Sequence, residues 1–254
     1  MDALTVALLA AVGFAASFID SQVGGGGVLT LPALLLAGLP PSVALGTNKL
    51  GGTTSALVAS MNYVHKGAVP YRRALLLAPL SFAGGLVGVW AVLHAGSTAW
   101  LVPVVMVVMV GMGLYVVVRP KFGASDQLAA GALPLVVMAI AALDIGTYDG
   151  VLGPGTGSLL IFALVSLLGY GFRHAAALGR VLNLASNVAA LSYFAAAHRV
   201  DWAVGGAMAV AMAAGGYVGS HVTLRHGDRV VKPLFEGTLV ILLLSLAARL
   251  LKWP

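Results

Sequence analysis

DSQVGGGG, residues 20–27, interrupts an apolar stretch with a carboxylate and four consecutive glycines. Each glycine inside a helix costs about 0.8–1.0 kcal/mol relative to alanine, so the run ends the apolar segment before it. A short apolar piece, 28–37, follows directly. At about 1.5 Å per residue it reaches only about half of a bilayer. The run therefore predicts a membrane helix that is broken at the glycines and followed by a half-helix.

The composition indicates an all-α polytopic membrane protein. Hydrophobic residues make up 60% of the 254 residues and charged residues only 9%, more apolar area than a soluble core could bury. The formal charge of +6 lies in short connectors, which argues against a nucleic-acid-binding face. The chain has no cysteine, which excludes disulfides and thiolate sites, and its histidines lack metal-ligand spacing. We therefore expect no metal, cofactor or nucleic-acid partner.

Eight stretches are long and apolar enough to cross a membrane, or nearly so. They are 3–20, 43–64, 74–93, 99–118, 128–145, 174–197, 202–224 and 233–251. The first lacks a basic leader and carries Asp2, so we expect a retained helix and not a cleaved signal peptide. Two shorter pieces, 28–37 and 157–168, complete the set.

The chain has the pattern of an internal duplication. Asp20 and the glycines after it match Asp149 and the turn Gly-Val-Leu-Gly-Pro-Gly, 129 positions later. Val69 and Val200 match with an offset of 131. The sequence predicts two transmembrane repeats, 1–120 and 121–254, within one membrane domain.

The orientation of the repeats depends on whether each short piece crosses the membrane. Four crossings per half make the repeats parallel, and five make them inverted. With five crossings per half, all the basic connectors lie on one side of the membrane. With four crossings per half, the connector 225–232 lies on the side opposite to the connectors 65–73 and 119–127. These connectors are 65–73, 119–127, the turn at Arg173 and 225–232. We therefore predict inverted repeats with both termini outside, each with four transmembrane helices plus one half-helix.

Helix breaks at matching positions are typical of secondary transporters with a site at the membrane midplane. A half-helix N-terminus attracts anions, and glycine lets a ligand approach the bare amides. The candidate glycines are Gly24, Gly25, Gly26, Gly27, Gly153, Gly155 and Gly157. The alternative is that they only permit close helix packing, the role expected for Gly84, Gly85, Gly215 and Gly216.

Polar residues follow each half-helix. Thr47, Asn48 and Lys49 occur in the first half, although Ser and Thr often bond their own helix. Arg180, Asn183 and Asn187 share one helix face in the second half, and that face could hold an oxyanion. The alternative for Lys49 and Arg180, about six residues inside their helices, is snorkelling to the headgroups.

Asp20 and Asp149 occupy matching positions at the two breaks. Each could cap a half-helix by accepting its N–H groups. Each could instead carry a proton that couples transport to the proton gradient.

The strings VGGGGVLTLPALLLAGLPPSVALGTNKL and GTYDGVLGPGTGSLLIFALVSLLGYGFRHAAALGRVLNLASNVAALSYF resemble the sulfite exporter TauE/SafE family of membrane permeases. The matched motifs are the turns 24–27 and 153–157, which include Thr156, and the face Asn183, Ser186 and Asn187. The sequence departs from the family at His198-Arg199, where a glycine is frequent. This connector concerns coupling or loop shape more than substrate class.

The resemblance implies a multi-pass inner-membrane permease that exports sulfur-containing anions such as sulfite, thiosulfate or organosulfonates. Proton coupling and alternating access around a midplane site complete that hypothesis, in which the protein is not an enzyme. One alternative is an intramembrane aspartyl hydrolase that uses Asp20 and Asp149; another is an anion channel. No feature of the sequence indicates an oligomeric state.

Overall fold

The chain folds into a bundle of α-helices. The computed structural model describes residues 2–94 and 122–251, and within them it has nine helices. They are α1 (Ala3–Val23), α2 (Gly27–Leu36), α3 (Pro41–His65), α4 (Tyr71–His94), α5 (Leu133–Val151), α6 (Thr156–Leu168), α7 (Phe172–Ala196), α8 (Trp202–His226) and α9 (Asp228–Leu251). The predicted all-α class is confirmed.

Four of the described helices are long and apolar enough to cross a membrane: α1, α4, α5 and α8. The prediction of a span over 128–145 is wrong at both ends, because helix α5 begins at Leu133, next to Pro134, and continues to Val151. Proline is well tolerated in the first helical turn, where no intrahelical N–H is lost. The predicted span 99–118 lies outside the described residues.

The two helices with the most polar faces lie at the centre of the bundle. Helices α3 and α7 pack against each other, α3 also packs against α8, and α7 packs against α4. Helix α1 pairs with α8, and α4 pairs with α5. Several polar side chains of α3 and α7, among them Lys49, Arg180 and Asn183, are therefore buried inside the protein, where the cost of exposing them to lipid is avoided.

Glycines bring the paired helices close together. A Cβ at Gly84 would lie 2.1 Å from the carbonyl oxygen of Leu143, and one at Gly215 would lie 2.3 Å from that of Phe14. The packing role expected for these glycines is confirmed. Phe14 and Leu143 are 129 positions apart, so the two close contacts follow the duplication. The inverted orientation of the repeats in the membrane stays a prediction.

Both predicted helix breaks are present. Gly24 and Gly25 have φ values of +79° and +100°, and Gly153 and Gly155 have φ values of +84° and +87°. Side chains rarely adopt this region, because Cβ approaches the following carbonyl oxygen. The glycines therefore end α1 and α5 and let the chain restart as α2 and α6.

The connector before α5 is bound to the turn between α6 and α7. The N–H of Gln127 donates to the carbonyl of Gly169 (2.6 Å), and Asp126 Oδ1 accepts from the N–H of Gly171 (2.6 Å). Asp126 also lies 2.6 Å from His174 on α7. These contacts fix where α7, which carries Arg180, begins.

Candidate functional site

The two helix breaks lie against each other. A Cβ at Gly24 would lie only 2.4 Å from Cα of Gly157. The hydroxyl of Ser158, at the start of α6, donates to the carbonyl of Val23, the last residue of α1 (2.7 Å). The packing alternative therefore describes Gly24 and Gly157, and it also describes Gly26, where a Cβ would lie 2.9 Å from the carbonyl oxygen of Ala16. Four of the candidate glycines line a cavity beside this contact: Gly26, Gly27, Gly153 and Gly157.

This central cavity has a volume of about 30 Å³ and is polar. It exceeds the 10–15 Å³ that one water molecule needs, on the order given by cavity surveys. The start of each half-helix faces it, so both positive helix ends meet in one place. Its lining comprises Asp20, Gly26, Gly27, Thr30, Asn48, Lys49, Gly52, Asp149, Gly153, Thr156, Gly157, Asn183, Asn187 and Met212.

Lys49 and Asp149 form an ion pair between the halves. Lys49 Nζ lies 2.9 Å from Asp149 Oδ1, and both side chains are buried. Thr156 donates its hydroxyl to the same carboxylate oxygen (2.9 Å), and Ser186 donates to the other (2.7 Å). Three donors therefore surround the Asp149 carboxylate, as burial of a charge requires.

Asp20 and Arg180 form the matching pair, in which the first half supplies the carboxylate and the second half supplies the cation. Arg180 Nη2 lies 2.5 Å from Asp20 Oδ2, and Arg180 Nη1 donates to Asn183 Oδ1 (2.9 Å). Asp20 Oδ1 accepts from the backbone N–H of Gly26 (3.0 Å). Lys49 and Arg180 are 131 positions apart, so each repeat supplies a carboxylate to the cation of the other.

The snorkelling alternative is wrong for both cations, because Lys49 and Arg180 point inward to carboxylates and are only 3% exposed. They also lie deeper than predicted. Helices α3 and α7 begin at Pro41 and Phe172, which places each cation eight residues from the start of its helix. At about 1.5 Å per residue this is roughly 12 Å.

The capping hypothesis holds for one aspartate only. Asp20 accepts from Gly26, the residue before α2. The contacts shown for the Asp149 carboxylate come from side chains, namely Lys49, Thr156 and Ser186. The two breaks thus hold equivalent carboxylates in different ways.

Several predicted site residues lie outside the lining of the central cavity. Thr47 accepts the N–H of Asp201 at the start of α8 (2.9 Å), and Ser186 contacts the cavity only through Asp149. Gly25 and Gly155 supply the positive φ of the breaks. Gly24 and Arg180 line a second, smaller cavity, called the side cavity below.

Three lining residues were not predicted: Thr30, Gly52 and Met212. The Thr30 hydroxyl lies 2.5 Å from Asn48 Oδ1, which joins α2 to α3. Thr30 is the only polar side chain in α2, and this signal was available in the sequence. Met212 comes from α8, and only the packing of α8 on α3 reveals its position.

The charges of the site balance. Lys49 and Arg180 carry two positive charges, and Asp20 and Asp149 carry two negative charges. The four charged side chains therefore give the site no net charge of its own. An anion that enters the central cavity adds an uncompensated charge in a low-dielectric interior, which is unfavourable.

Known proteins with similar sequences are membrane proteins. The family model "Sulfite exporter TauE/SafE" matches residues 9–246. A "Probable membrane transporter protein ORF9" of a Sinorhizobium species is 38% identical over 250 residues, covering 98% of this chain and 93% of that protein.

Two further relatives carry similar names. A "Probable membrane transporter protein" of Haemophilus influenzae is 35% identical and covers 90% of this chain and 89% of its own length. The "Probable membrane transporter protein YfcA" of Escherichia coli K12 is 33% identical, and the match covers 98% of this chain and 90% of that protein. No solved structure matches the chain significantly.

Proposed function

Because this chain belongs to the sulfite exporter TauE/SafE family, we propose that it is a secondary transporter that moves small sulfur-containing anions across the bacterial inner membrane, outward. Membership of the family and the names of the relatives support membrane transport. Sulfite, thiosulfate and organosulfonates are the substrate class that we infer. One observation carries the proposal: both half-helices begin at one polar cavity that lies between two crossed ion pairs.

The central cavity supplies the groups that an oxyanion requires. Lys49 offers a compact positive charge, and Asn48, Asn183 and Asn187 offer amide groups in the same lining. Thr156 and Gly157 belong to the first turn of α6, whose positive end attracts negative charge. The N–H of Thr156 itself donates to the carbonyl of Gly153 (3.2 Å). We assign substrate binding to these residues.

Alternating access is supported by where the ion pairs lie. Each pair joins one repeat to the other, from α3 to α5 and from α1 to α7. Relative movement of the repeats must therefore break and remake these contacts, as rocking around a central site requires. Protonation of one carboxylate weakens one pair and admits one monovalent anion without a change in net charge, so that export is driven by the outward concentration gradient of the anion. This is the coupling that we propose.

The alternative enzyme function receives no support from the geometry. A hydrolytic dyad needs two carboxylates that share a proton at about 3 Å. Asp20 and Asp149 instead each pair with a cation. The channel alternative predicts single-channel currents far above carrier turnover, which electrical recording from the reconstituted protein would detect.

The proposal is tested first by ligand binding. The detergent-purified protein is heated with sulfite, thiosulfate, sulfoacetate, taurine or sulfate, because a ligand of the folded state raises the apparent stability. At a concentration of 100 times Kd the expected stabilisation is about 2.7 kcal/mol. A ligand found in this way is then radiolabelled and its uptake into proteoliposomes measured. No binding and no flux for any sulfur anion would overturn the proposed substrate class.

The variants Arg180→Ala and Asn183→Ala test whether the measured anion flux depends on the proposed site. Each removes one member of the contact between Arg180 Nη1 and Asn183 Oδ1. We expect at least a tenfold loss of flux in both variants at equal protein abundance. Ser192→Ala is the control, because Ser192 is exposed and, among the described residues, its hydroxyl bonds its own helix at the carbonyl of Val188. Unchanged flux in both site variants would remove these residues from the site.

A further inference from the structure

The side cavity lies next to the central cavity and meets it at Asp20. Its volume is about 10 Å³, and its lining includes Ser21, Gln22, Gly24 and Arg180. Asp20, Gly157 and Asn183 line both cavities. Asp149 and Lys49 line only the central one. Of the two carboxylates, Asp20 is therefore the one that both cavities reach.

Two residues that line the side cavity each carry a buried polar atom with no hydrogen-bond partner in the described part of the chain. The two atoms are Nε of Arg180 and Oε1 of Gln22. Arg180 is 3% exposed and Gln22 is fully buried. The Gln22 amide nitrogen donates to the carbonyl of Phe18 (3.0 Å), which leaves Oε1 as the free acceptor. Burial without a partner costs about 1–3 kcal/mol per group, so a donor and an acceptor both require a ligand here.

One water molecule meets both requirements. A volume near 10 Å³ is about that of a single water, and too small for a sulfur oxyanion. A water bound there would accept from the Arg180 Nε–H and donate to Gln22 Oε1, the two groups that lack a partner. It is also the ligand through which a proton moves between hydrogen-bonded groups.

We propose that the side cavity is the route by which a proton reaches Asp20, and that Gln22 and Arg180 position the water that carries it. The proton adds to a carboxylate oxygen of Asp20, and the ion pair becomes a neutral acid beside a guanidinium. The positive charge of Arg180 is then no longer balanced by Asp20, and Asn183, which Arg180 contacts, links it to the central cavity. This inference rests on the proposed transport function and assigns proton and anion to different cavities.

The surroundings of Asp20 contain few other charges. Arg180 on α7, Lys49 on α3 and Asp149 on α5 are the charged groups that line one or both cavities. Helices α2, α6 and α8 contribute no ionisable side chain to either lining. Tyr63 on α3 donates its hydroxyl to the carbonyl of Ser21 (2.8 Å), next to Asp20 in the chain.

The exposure of the two carboxylates supports the assignment. The Asp20 side chain is 15% exposed, whereas that of Asp149 is 2% exposed. Asp149 accepts from Lys49 and two hydroxyls, whereas Asp20 accepts from one side chain and one backbone N–H. Asp20 is thus both more accessible and less enclosed by donors.

Two transport measurements on proteoliposomes separate the roles. Exchange of labelled for unlabelled anion at equal pH requires the anion site but no net proton movement. Uptake driven by a pH gradient requires both the anion site and net proton movement. A pH-sensitive dye inside the vesicles reports the proton movement. For Asp20→Asn and Gln22→Leu we expect the ratio of gradient-driven uptake to exchange to fall at least tenfold. For Asp149→Asn both rates should fall together, with the ratio within about threefold of the parent.

Ser60→Ala is the matched control for Gln22→Leu. Its hydroxyl is also buried without a partner in the described chain, but it lines neither cavity. We expect the ratio to remain at the parent value. A ratio for Gln22→Leu equal to that of Ser60→Ala would overturn the role of the side cavity, and so would equal ratios for Asp20→Asn and Asp149→Asn. Absence of exchange in the parent for every sulfur anion would instead overturn the transport function itself.

Discussion

The two crossed ion pairs arise from one duplicated pattern, yet their surroundings differ. Asp149 is enclosed by Lys49, Thr156 and Ser186. At the positions that match Thr156 and Ser186, the first repeat has Gly27 and Ser55. Gly27 has no side chain to donate, and the Ser55 hydroxyl lies 2.5 Å from that of Ser17 instead of contacting Asp20.

This difference shows how a duplicated site acquires two roles. The pair Lys49–Asp149 is surrounded by hydrogen-bond donors and lines the central cavity but not the side cavity, so we assign it a binding role. The pair Asp20–Arg180 stands between two cavities, so we assign it the coupling role. Four predictions test whether the difference between the pairs is real.

The largest effect is expected from loss of a cation. Lys49→Met leaves the Asp149 charge buried without its partner, which costs about 3–5 kcal/mol of stability. Arg180→Met should cost less, because Asp20 is more exposed and keeps the N–H of Gly26. Thermal unfolding of the purified variants measures both. Equal losses would contradict the difference between the pairs.

The double variant Lys49→Met/Asp149→Leu is the control for that prediction. Replacement of a whole buried ion pair by apolar residues is often neutral for stability. We therefore expect the unfolding temperature to recover while anion uptake remains lost. Recovery of uptake would exclude this pair from the site.

The second prediction compares the two breaks. Gly24→Ala places Cβ 2.4 Å from Cα of Gly157, so the backbones must separate, at about 1–3 kcal/mol. At Gly153 the nearest atom to a Cβ is Lys49 Nζ at 3.3 Å. Gly153→Ala should therefore impair uptake more than stability. Gly38→Ala isolates the strain of positive φ, because nothing lies within 4 Å of its Cβ.

The third prediction concerns the geometry of the arginine. Arg180 contacts Asp20 and Asn183 through two different nitrogens, which a lysine ammonium cannot reproduce in the same plane. Arg180→Lys should raise the KM for the anion about tenfold, equivalent to about 1.4 kcal/mol. Initial uptake rates against anion concentration measure this. An unchanged KM would show that charge alone is sufficient.

The smallest effects are expected at the matched serines. Ser186→Ala removes a donor to Asp149, and Ser55→Ala removes a contact between two hydroxyls. Each should cost about 1 kcal/mol of stability. Only Ser186→Ala should also slow uptake, by about threefold, because only Ser186 acts on a charged group of the site. Equal slowing in both variants would place Ser55 in the transport path as well.

Much of the fold could be predicted from the sequence because the signals are local. Apolar run length predicts helices, and four consecutive glycines end one wherever they occur. The repeat is visible from the glycine turns that follow Asp20 and Asp149 and from the match of Val69 with Val200. The start of α5 was missed because the apolar residues 128–132 suggest helix, whereas the chain there is held by contacts to the α6–α7 turn, such as that of Ala129 with Leu168.

Sequence alone therefore determined the class of protein and the helix breaks, because each follows from neighbours in the chain. Only the tertiary structure decided that Asp20 pairs with Arg180 and Asp149 with Lys49, 160 and 100 positions away respectively. Nor does the chain order indicate that Gln22 and Arg180 border one water-sized cavity. Such pairings depend on how helices pack across the two repeats, and distance in space between helices is not encoded in the spacing along any one of them.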